Sequence, residues 1–302
     1  MHLETEELLR ILKDCSNGHS LFVSASKNQK YFNIWELLQS EGFVHQTGLD
    51  EAITTWKNIE RRGTPTNQKK CYDCEYAPYR RERKNDSWNP YIQVKRFKYY
   101  NALKYFLNKS WQNIEVYALF TSCFRYGEQF KIYIIVGQTS NRDWICLAPT
   151  VPDQVWSIYE NSYHPNLTWL TSCKSTKPIA IDLFDKINKI LAKLEPLEIY
   201  GYYHGGYNYS YNHQIFCTAS PKKLKAIELA LQAGKMLDFD SFWLDKCFGD
   251  RSKIKQFMRE HLKRRKCYIL SFWDIGYAYE IGCTPSGDWI GVKYRLEFDY
   301  NP

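Results

Sequence analysis

An internal repeat is the feature that most limits what this chain can fold into. The segment LKYFLNKSWQNIEVY (103–117) aligns without gaps on IKQFMREHLKRRKCY (254–268). The motif G-x-T-x3-D-W-I follows both segments, beginning at Gly137 and again at Gly282. Repetition at this scale indicates that one structural unit occurs twice. The pattern predicts a helix, a strand, a hairpin and a final strand in each copy.

Each copy places a tryptophan directly after its last turn, Trp144 in the first and Trp289 in the second. Repeated aromatic residues usually pack in a core, because they bury a large apolar area. We therefore expect both tryptophans to cover a sheet face and to contribute equally to stability.

The N-terminal segment predicts a helix followed by a strand hairpin. LETEELLRILKDC (3–15) has apolar residues on one stripe, which is typical of an amphipathic helix. SLFVSAS (20–26) and YFNIWEL (31–37) are rich in aromatic and branched residues and flank the turn-forming triplet KNQ (27–29). We interpret these two segments as paired strands. A later segment, SPKKLKAIELALQAGK (220–235), predicts a helix that ends at Gly234.

The 302 residues and the repeat together predict two domains of α+β class. Each is expected to combine an antiparallel sheet, built from hairpins, with amphipathic helices. We assign residues 1–155 to the first domain, with a polar excursion at about 61–89. Residues 156–177, rich in Pro, Asn, Ser and Thr, form the predicted linker, and residues 178–302 form the second domain.

The chain is basic, with a formal charge of +8 and a pI near 8.8. A positive field attracts an acidic partner, whether a nucleic acid or the acidic face of a protein. Two basic runs are candidate contacts, formed by Arg80, Arg81, Arg83, Lys84, Lys263, Arg264, Arg265 and Lys266. An accessory protein that binds nucleic acid through these runs and nearby aromatics is the alternative function.

The segment GYYHGGYNYSYNH (201–213) combines tyrosines with Gly, Asn and Ser. It admits three interpretations: an edge hairpin whose aromatics shield a sheet, a protein-recognition loop, or a stacking platform for single-stranded nucleic acid. Residues 200–212 contain no Lys or Arg, which disfavours the platform. The candidate partner-binding residues are Tyr202, Tyr203, His204, Tyr207, Tyr209 and Tyr211.

Catalytic and metal-binding motifs are sparse. The sequence has no G-x-S-x-G, H-E-x-x-H or G-x4-G-K-[ST] motif, so we predict a protein that is not an enzyme and needs no cofactor. Cys71 and Cys74 form half of a zinc site, and the chain has no second C-x2-C, so we predict no bound metal. The ten cysteines lack a compact framework and no segment predicts a membrane helix, which indicates a cytoplasmic protein.

The chain resembles the nuclease A inhibitor-like family. The resemblance rests on EELLRILKDCSNGHSLFVSASKNQKYFNIWEL (6–37), on both helix-to-G-x-T…D-W-I units, and on DFDSFW (238–243). It implies two tandem α/β/α sandwiches and an inhibitor that covers the active-site face of a nuclease. The early loop Ser24-Ala25-Ser26 has alanine where the family implies an acid, so the nuclease contact is expected to differ.

These features together predict a non-enzymatic binding protein that inhibits another protein. The resemblance points to a nuclease or a nuclease-containing defence complex as the partner. The Lys, Asn, Ile and Tyr richness of the chain fits a compact AT-rich genome, which suggests a phage anti-defence role. The sequence leaves self-association open.

Overall fold

The computed structural model describes residues 2–16, 20–24, 32–60, 63–65, 90–120, 131–151, 173–175, 177–202, 209–239, 252–272 and 275–297. Within them the helices are α1 Leu3–Cys15, α2 Ile34–Ser40, α3 Leu49–Glu60, α4 Pro90–Ser110, α5 Pro178–Leu191, α6 Lys223–Ala233 and α7 Ser252–His261. The strands are β1 Ser20–Ser24, β2 Val44–Thr47, β3 Gly63–Pro65, β4 Asn113–Leu119, β5 Ile132–Gln138, β6 Trp144–Pro149, β7 Leu197–Tyr202, β8 Tyr209–His213, β9 Ile215–Ser220, β10 Leu237–Phe239, β11 Lys263–Phe272, β12 Ile275–Cys283 and β13 Trp289–Glu297. The predicted α+β class is confirmed.

The described strands form three sheets, and all neighbouring strands within them are antiparallel. Sheet A has the order β1-β13-β12-β11-β10 and sheet B the order β2-β4-β5-β6-β9. Sheet C is smaller, with the order β3-β7-β8. Sheet A belongs to one compact unit of the chain, which we call the first unit, and sheets B and C belong to the other, the second unit.

Sheet B is covered by helices on both faces. On one face, β9 residues Cys217 and Ala219 join a buried cluster with residues of α3, α4 and α5. The intervening Thr218 points the other way, and its hydroxyl donates to the Ala226 carbonyl of α6 at 2.8 Å. Because side chains alternate along a strand, the sheet buries both faces. This unit is an α/β/α sandwich.

The side chains of sheet A also alternate between its two faces. Ile290 and Val292 of β13 lie in a buried cluster with residues of α1 and α7. On the opposite face, the Trp289 ring lies 5.4 Å from the ring of Phe32, two residues before the start of α2. The first unit therefore also has packing on both sides of its sheet.

The repeated segments form matching elements. Gly137 pairs with Ile145 across β5 and β6, and Gly282 pairs with Ile290 across β12 and β13. Each glycine makes room for the residue that follows the repeated helix. A Cβ added to Gly137 would lie 1.7 Å from the Trp111 ring, and one added to Gly282 would lie 2.7 Å from Leu262. The repeat therefore reflects a shared packing arrangement.

The match extends to elements that the sequence comparison did not align. The order α1, β1, α2, β2, α4, β4, β5, β6 recurs as α5, β9, α6, β10, α7, β11, β12, β13. We call these two series the first and second repeats. Val44 of β2 pairs with Leu119, and Leu237 of β10 pairs with Leu270, at equivalent positions. Residues 240–251, where a counterpart of α3 would fall, lie outside the described residues.

The compact units do not coincide with the two repeats. One unit contains the described residues up to 43 and from 236 to 297, and the other contains residues 44–151 and 173–235. The reason is strand exchange: β1 of the first repeat pairs with β13 of the second, and β9 of the second pairs with β6 of the first. The division thus differs from the predicted domains 1–155 and 178–302.

The predicted strand at YFNIWEL is wrong, because residues 34–40 form α2. The Asn33 side chain accepts a hydrogen bond from the Trp35 backbone N–H at 2.9 Å, which caps the helix. The buried positions Ile34, Leu37 and Leu38 follow a helical spacing. Aromatic and branched residues favoured a strand, but the cap and the buried face favour a helix.

Candidate functional site

The tyrosine-rich segment forms the antiparallel hairpin of β7 and β8. Ile199 pairs with Tyr211, and Tyr202 pairs with Tyr209, with a register shift between residues 200 and 202. These pairs place Tyr202, Tyr209 and Tyr211 on the strands of sheet C. Tyr203, His204 and Tyr207 lie outside the described residues.

The equivalent connection in the first repeat is too short to contain such a hairpin. Residues 16–19 join α1 to β1, whereas residues 192–214 join the equivalent elements α5 and β9. The hairpin is therefore an addition to a framework that forms without it elsewhere in the same chain. An element that the fold does not require is a candidate for function.

The base of the hairpin is fixed to the second unit. Leu197 is fully buried at its start, and the opposite residue, His213, is 1% exposed. The next residue, Gln214, accepts from the Thr150 backbone N–H at 2.9 Å and donates its own N–H to the Thr150 hydroxyl at 3.0 Å. The hairpin thus extends from a rigid base, which suits a surface that must bind without much loss of conformational freedom.

A buried polar network supports this base. The Arg96 guanidinium of α4 donates to both carboxylate oxygens of Glu60 in α3, at 2.7 and 2.9 Å. Tyr100 donates to the same carboxylate at 2.6 Å, and Arg96 also donates to the Glu195 carbonyl at 2.8 Å. Glu60, Arg96 and Tyr100 are each no more than 5% exposed, so the network holds α3 and α4 to the start of the hairpin. Its burial suits a structural role.

His213 makes the stability of this region depend on pH. Burial, with the Arg96 charge as a second cause, lowers the pKa of His213 to about 3. Above a pH of about 6.5 the imidazole is neutral in both folded and unfolded chains, so it adds no pH dependence. Between about pH 6.5 and pH 3, His213 is protonated in the unfolded chain but stays neutral in the folded chain. The free energy of unfolding therefore decreases as the pH falls through this range.

We expect the free energy of unfolding of the second unit to fall by about 1.4 kcal/mol per pH unit on this account. Urea denaturation between pH 7 and pH 5 measures it, with His213→Gln as the comparison because glutamine does not titrate. The variant should show the shallower pH dependence. Identical pH dependence in parent and variant would show that His213 is solvated in the folded protein.

The repeated G-x-T…D turns bind helix ends. In each turn the threonine hydroxyl accepts the backbone N–H of the aspartate, at 3.1 Å for Asp143 and 3.0 Å for Asp288. Both aspartates are fully buried. Asp143 contacts the Lys177 ammonium at 2.7 Å, at the start of α5, and Asp288 contacts His2 at 3.1 Å, at the start of α1. These aspartates therefore fasten equivalent helices in the two units.

The charge of Asp288 is retained despite its burial. Burial alone would raise the pKa of this carboxyl group, but hydrogen bonds from Thr5 and from the backbone and ring of His2 hold it below its usual value. The carboxylate is thus a helix anchor, consistent with the preference of a helix N-terminus for negative charge. The motif spacing revealed these aspartates, but the sequence did not identify the helices that they hold.

A half-buried lysine on α6 was not identified from the sequence. The Lys223 ammonium bonds to Glu115, lies 3.2 Å from the Tyr117 hydroxyl and stands 5.4 Å above the Trp144 ring. Burial alone would lower the pKa of Lys223, but its bonds to Glu115 and Tyr117 raise it instead. A lysine that stays protonated is a poor nucleophile, so this cluster suits packing rather than covalent catalysis.

The second predicted basic run lies in the first unit. Lys263, Arg264, Arg265 and Lys266 begin β11, and all four are exposed. Arg80, Arg81, Arg83 and Lys84 lie outside the described residues, as do Cys71 and Cys74. The structure thus locates one of the two predicted cationic surfaces.

The part of the chain that the structure describes contains no group of three or more His, Cys, Asp or Glu that could hold a metal ion. Among the same residues, no helix combines the length and apolar character needed to span a bilayer. The architecture and the added hairpin thus define an α+β protein of two compact units that carries a tyrosine-rich extension. Comparisons with protein-family models, curated proteins and solved structures find no match to this chain.

Proposed function

We propose that this chain is a non-enzymatic binding protein that inhibits another protein by covering its surface with the β7–β8 hairpin. The observation that supports the proposal is the short equivalent connection in the first repeat, residues 16–19, which joins the same framework elements without room for a hairpin. An extension that this framework forms without in the other repeat, fixed at its base by Thr150 and Gln214, is suited to recognition.

The composition of the hairpin supports a protein partner. Tyrosine offers a large amphipathic contact area with few rotatable bonds, and Gly, Asn and Ser adapt their hydrogen bonds to the partner. Residues 200–212 contain no Lys or Arg, so the segment lacks the charge that a phosphate backbone requires. A protein surface is therefore a better match for the hairpin than a nucleic acid.

The nuclease partner rests on the family resemblance. We propose a nuclease, or a nuclease-containing defence complex, as the inhibited protein and a phage anti-defence role as the setting. A cytoplasmic location is part of the same proposal. The described cysteines are all free thiols, which suits a reducing compartment.

The first test is to capture partners from a lysate of the native host with the full chain and to assay any captured nuclease. Addition of the chain should suppress cleavage by that nuclease. Absence of a nuclease among the captured proteins, or full cleavage activity at saturating chain, would contradict the proposed inhibition.

Tyr209→Asp should weaken partner binding about a hundredfold, because an unpaired carboxylate would be desolvated in the interface. Binding and melting are measured on the same purified protein, by titration calorimetry and by thermal denaturation. The matched control is Tyr105→Asp, since Tyr105 of α4 is 69% exposed and lies outside the hairpin. Equal binding by both variants would show that the hairpin is not the contact, and a lower melting temperature with normal binding would show that it only shields the sheet.

A further inference from the structure

The end of α7 and the start of β11 concentrate the positive charge of the protein. Residues 252–272 contain seven Lys or Arg and one Glu, a net charge of +6, whereas the whole chain carries +8. Five of these cations are consecutive or nearly so: Arg259, Lys263, Arg264, Arg265 and Lys266. We call residues 259–266 the cationic segment.

The basic side chains of this segment lie at the surface of the first unit. Arg259 and the four basic residues of β11 are exposed. Among the described residues, Lys263, Arg265 and Lys266 form no ion pair with an acidic side chain. Their charges are therefore not neutralised within the described part of the first unit.

A β-bulge sets the direction of these side chains. Lys263 pairs with Cys283, whereas Lys266 pairs with Ile281, so β11 has one extra residue at this point. Arg264 lies within the bulge and has a φ of 51°, a left-handed conformation that is costly for a residue with a side chain. Bulges redirect side chains and are frequent beside functional sites.

The first repeat shows that the fold does not need this charge. At the equivalent start of β4, the residues are Gln112, Asn113, Ile114 and Glu115. Their pairing is regular, with Asn113 opposite Gln138 and Glu115 opposite Val136. Lysines at a sheet edge can also prevent aggregation. However, β2 pairs with only residues 116–119 of β4, so the first repeat leaves the same edge without basic residues.

We propose that the cationic segment binds the phosphate backbone of a nucleic acid. Phosphate binding is driven by the release of counterions and requires cations rather than apolar contacts. The centre of a protein interface, in contrast, is depleted in lysine and is built on apolar or aromatic anchors. None of the large hydrophobic residues that are exposed in the described structure lies on α7 or β11.

The side-chain chemistry of the segment matches this ligand. The two arginines add planar guanidinium groups that bind phosphate oxygens in pairs. This segment belongs to the first unit, whereas the tyrosine hairpin belongs to the second.

The test measures binding of the full chain to a fluorescein-labelled 20-nucleotide single strand and to a 20-base-pair duplex across a salt titration. The key variant is Lys263→Gln/Arg264→Gln/Arg265→Gln/Lys266→Gln. At about 100 mM salt we expect at least tenfold weaker binding, and we expect the slope of log affinity against log salt to become shallower by about 3. Glutamine at position 265 keeps the Cγ atom that packs beside Gly282.

The control variant removes four exposed lysines of the other unit, Lys98→Gln/Lys109→Gln/Lys189→Gln/Lys222→Gln, and thus makes the same change in net charge. Its affinity should change less than threefold. An equal loss in both variants, or no loss in the first, would overturn the proposal. Binding of poly-glutamate without binding of either oligonucleotide would also overturn it, in favour of an acidic protein. If the quadruple variant unfolds, Arg265→Gln/Lys266→Gln provides the same test with a slope change of about 1.5.

Discussion

The variant Glu60→Gln is expected to lower the free energy of unfolding of the second unit by about 3 to 5 kcal/mol. Glutamine has nearly the same shape as glutamate but cannot neutralise the guanidinium of Arg96, whose side chain is 6% exposed. The loss arises because Arg96 would remain buried beside a neutral group, and the cost of taking a charge from water would no longer be offset. Urea denaturation measures the change.

An exposed ion pair provides the control for Glu60→Gln. Lys104 and Asp50 link the same two helices, but Asp50 is 76% exposed. Asp50→Asn should therefore cost less than about 1 kcal/mol, because water screens the pair. Similar losses in the two variants would show that burial does not govern the Glu60–Arg96 pair. The double variant Glu60→Met/Arg96→Met should recover much of the stability, since it removes both buried charges.

The second large effect is expected from Trp289→Ala, which should destabilise the first unit by about 3 to 5 kcal/mol. Trp289 is 1% exposed and contacts the Phe32 ring, so truncation would leave a cavity. The matched variant Trp144→Ala should cost the second unit only about 1 to 2 kcal/mol, because this ring is half-buried and covered by Lys223. Thermal denaturation of both variants measures the difference.

Trp289→Phe separates ring packing from the indole group. The Trp289 Nε1 atom has no hydrogen-bond acceptor among the described residues, so its removal costs no bond there. Phenylalanine should therefore retain most of the stability that alanine loses. Equal destabilisation by Trp144→Ala and Trp289→Ala would contradict the packing seen in the structure. Equal destabilisation would instead support the sequence-based expectation that the two tryptophans contribute equally to stability.

The repeat pattern predicts the strand positions of these two tryptophans but not how deeply each is buried. The identical spacing of G-x-T…D-W-I correctly indicates equivalent strand positions, because Trp144 and Trp289 both begin a final strand. Burial depends on what covers the position. Phe32 packs on Trp289, whereas Lys223 lies over Trp144, and both residues are distant in sequence. Local periodicity contains no information about such partners.

The candidate sites show the same limit. Composition alone identified the basic residues Lys263 to Lys266 and the tyrosine segment. The bulge at Arg264 could not be predicted from these residues, since it depends on the register between β11 and β12. The network of Glu60, Arg96 and Tyr100 also escaped sequence analysis, because its members are charged or polar and lie up to 40 residues apart. Charged and polar residues in a sequence usually indicate exposed positions. Glu60, Arg96 and Tyr100 are buried because of the tertiary packing of α3 and α4.

By itself the sequence determined the α+β class, the repeated helix-to-strand segment and the turns that end in Asp143 and Asp288, since periodicity and turn chemistry are local properties. Only the tertiary structure decided which part of one repeat completes the sheet of the other. Strands pair through backbone groups that are the same in every residue, so β1 and β9 are both suited to the edge beside a repeated final strand. In each repeat the chain passes from one unit to the other after an equivalent helix, α2 or α6. Each of these helices is followed by a residue in the left-handed conformation, Gly42 (φ 72°) or Lys235 (φ 62°). Local sequence therefore leaves both pairings open, and the structure shows the exchanged one, with β1 beside β13 and β9 beside β6.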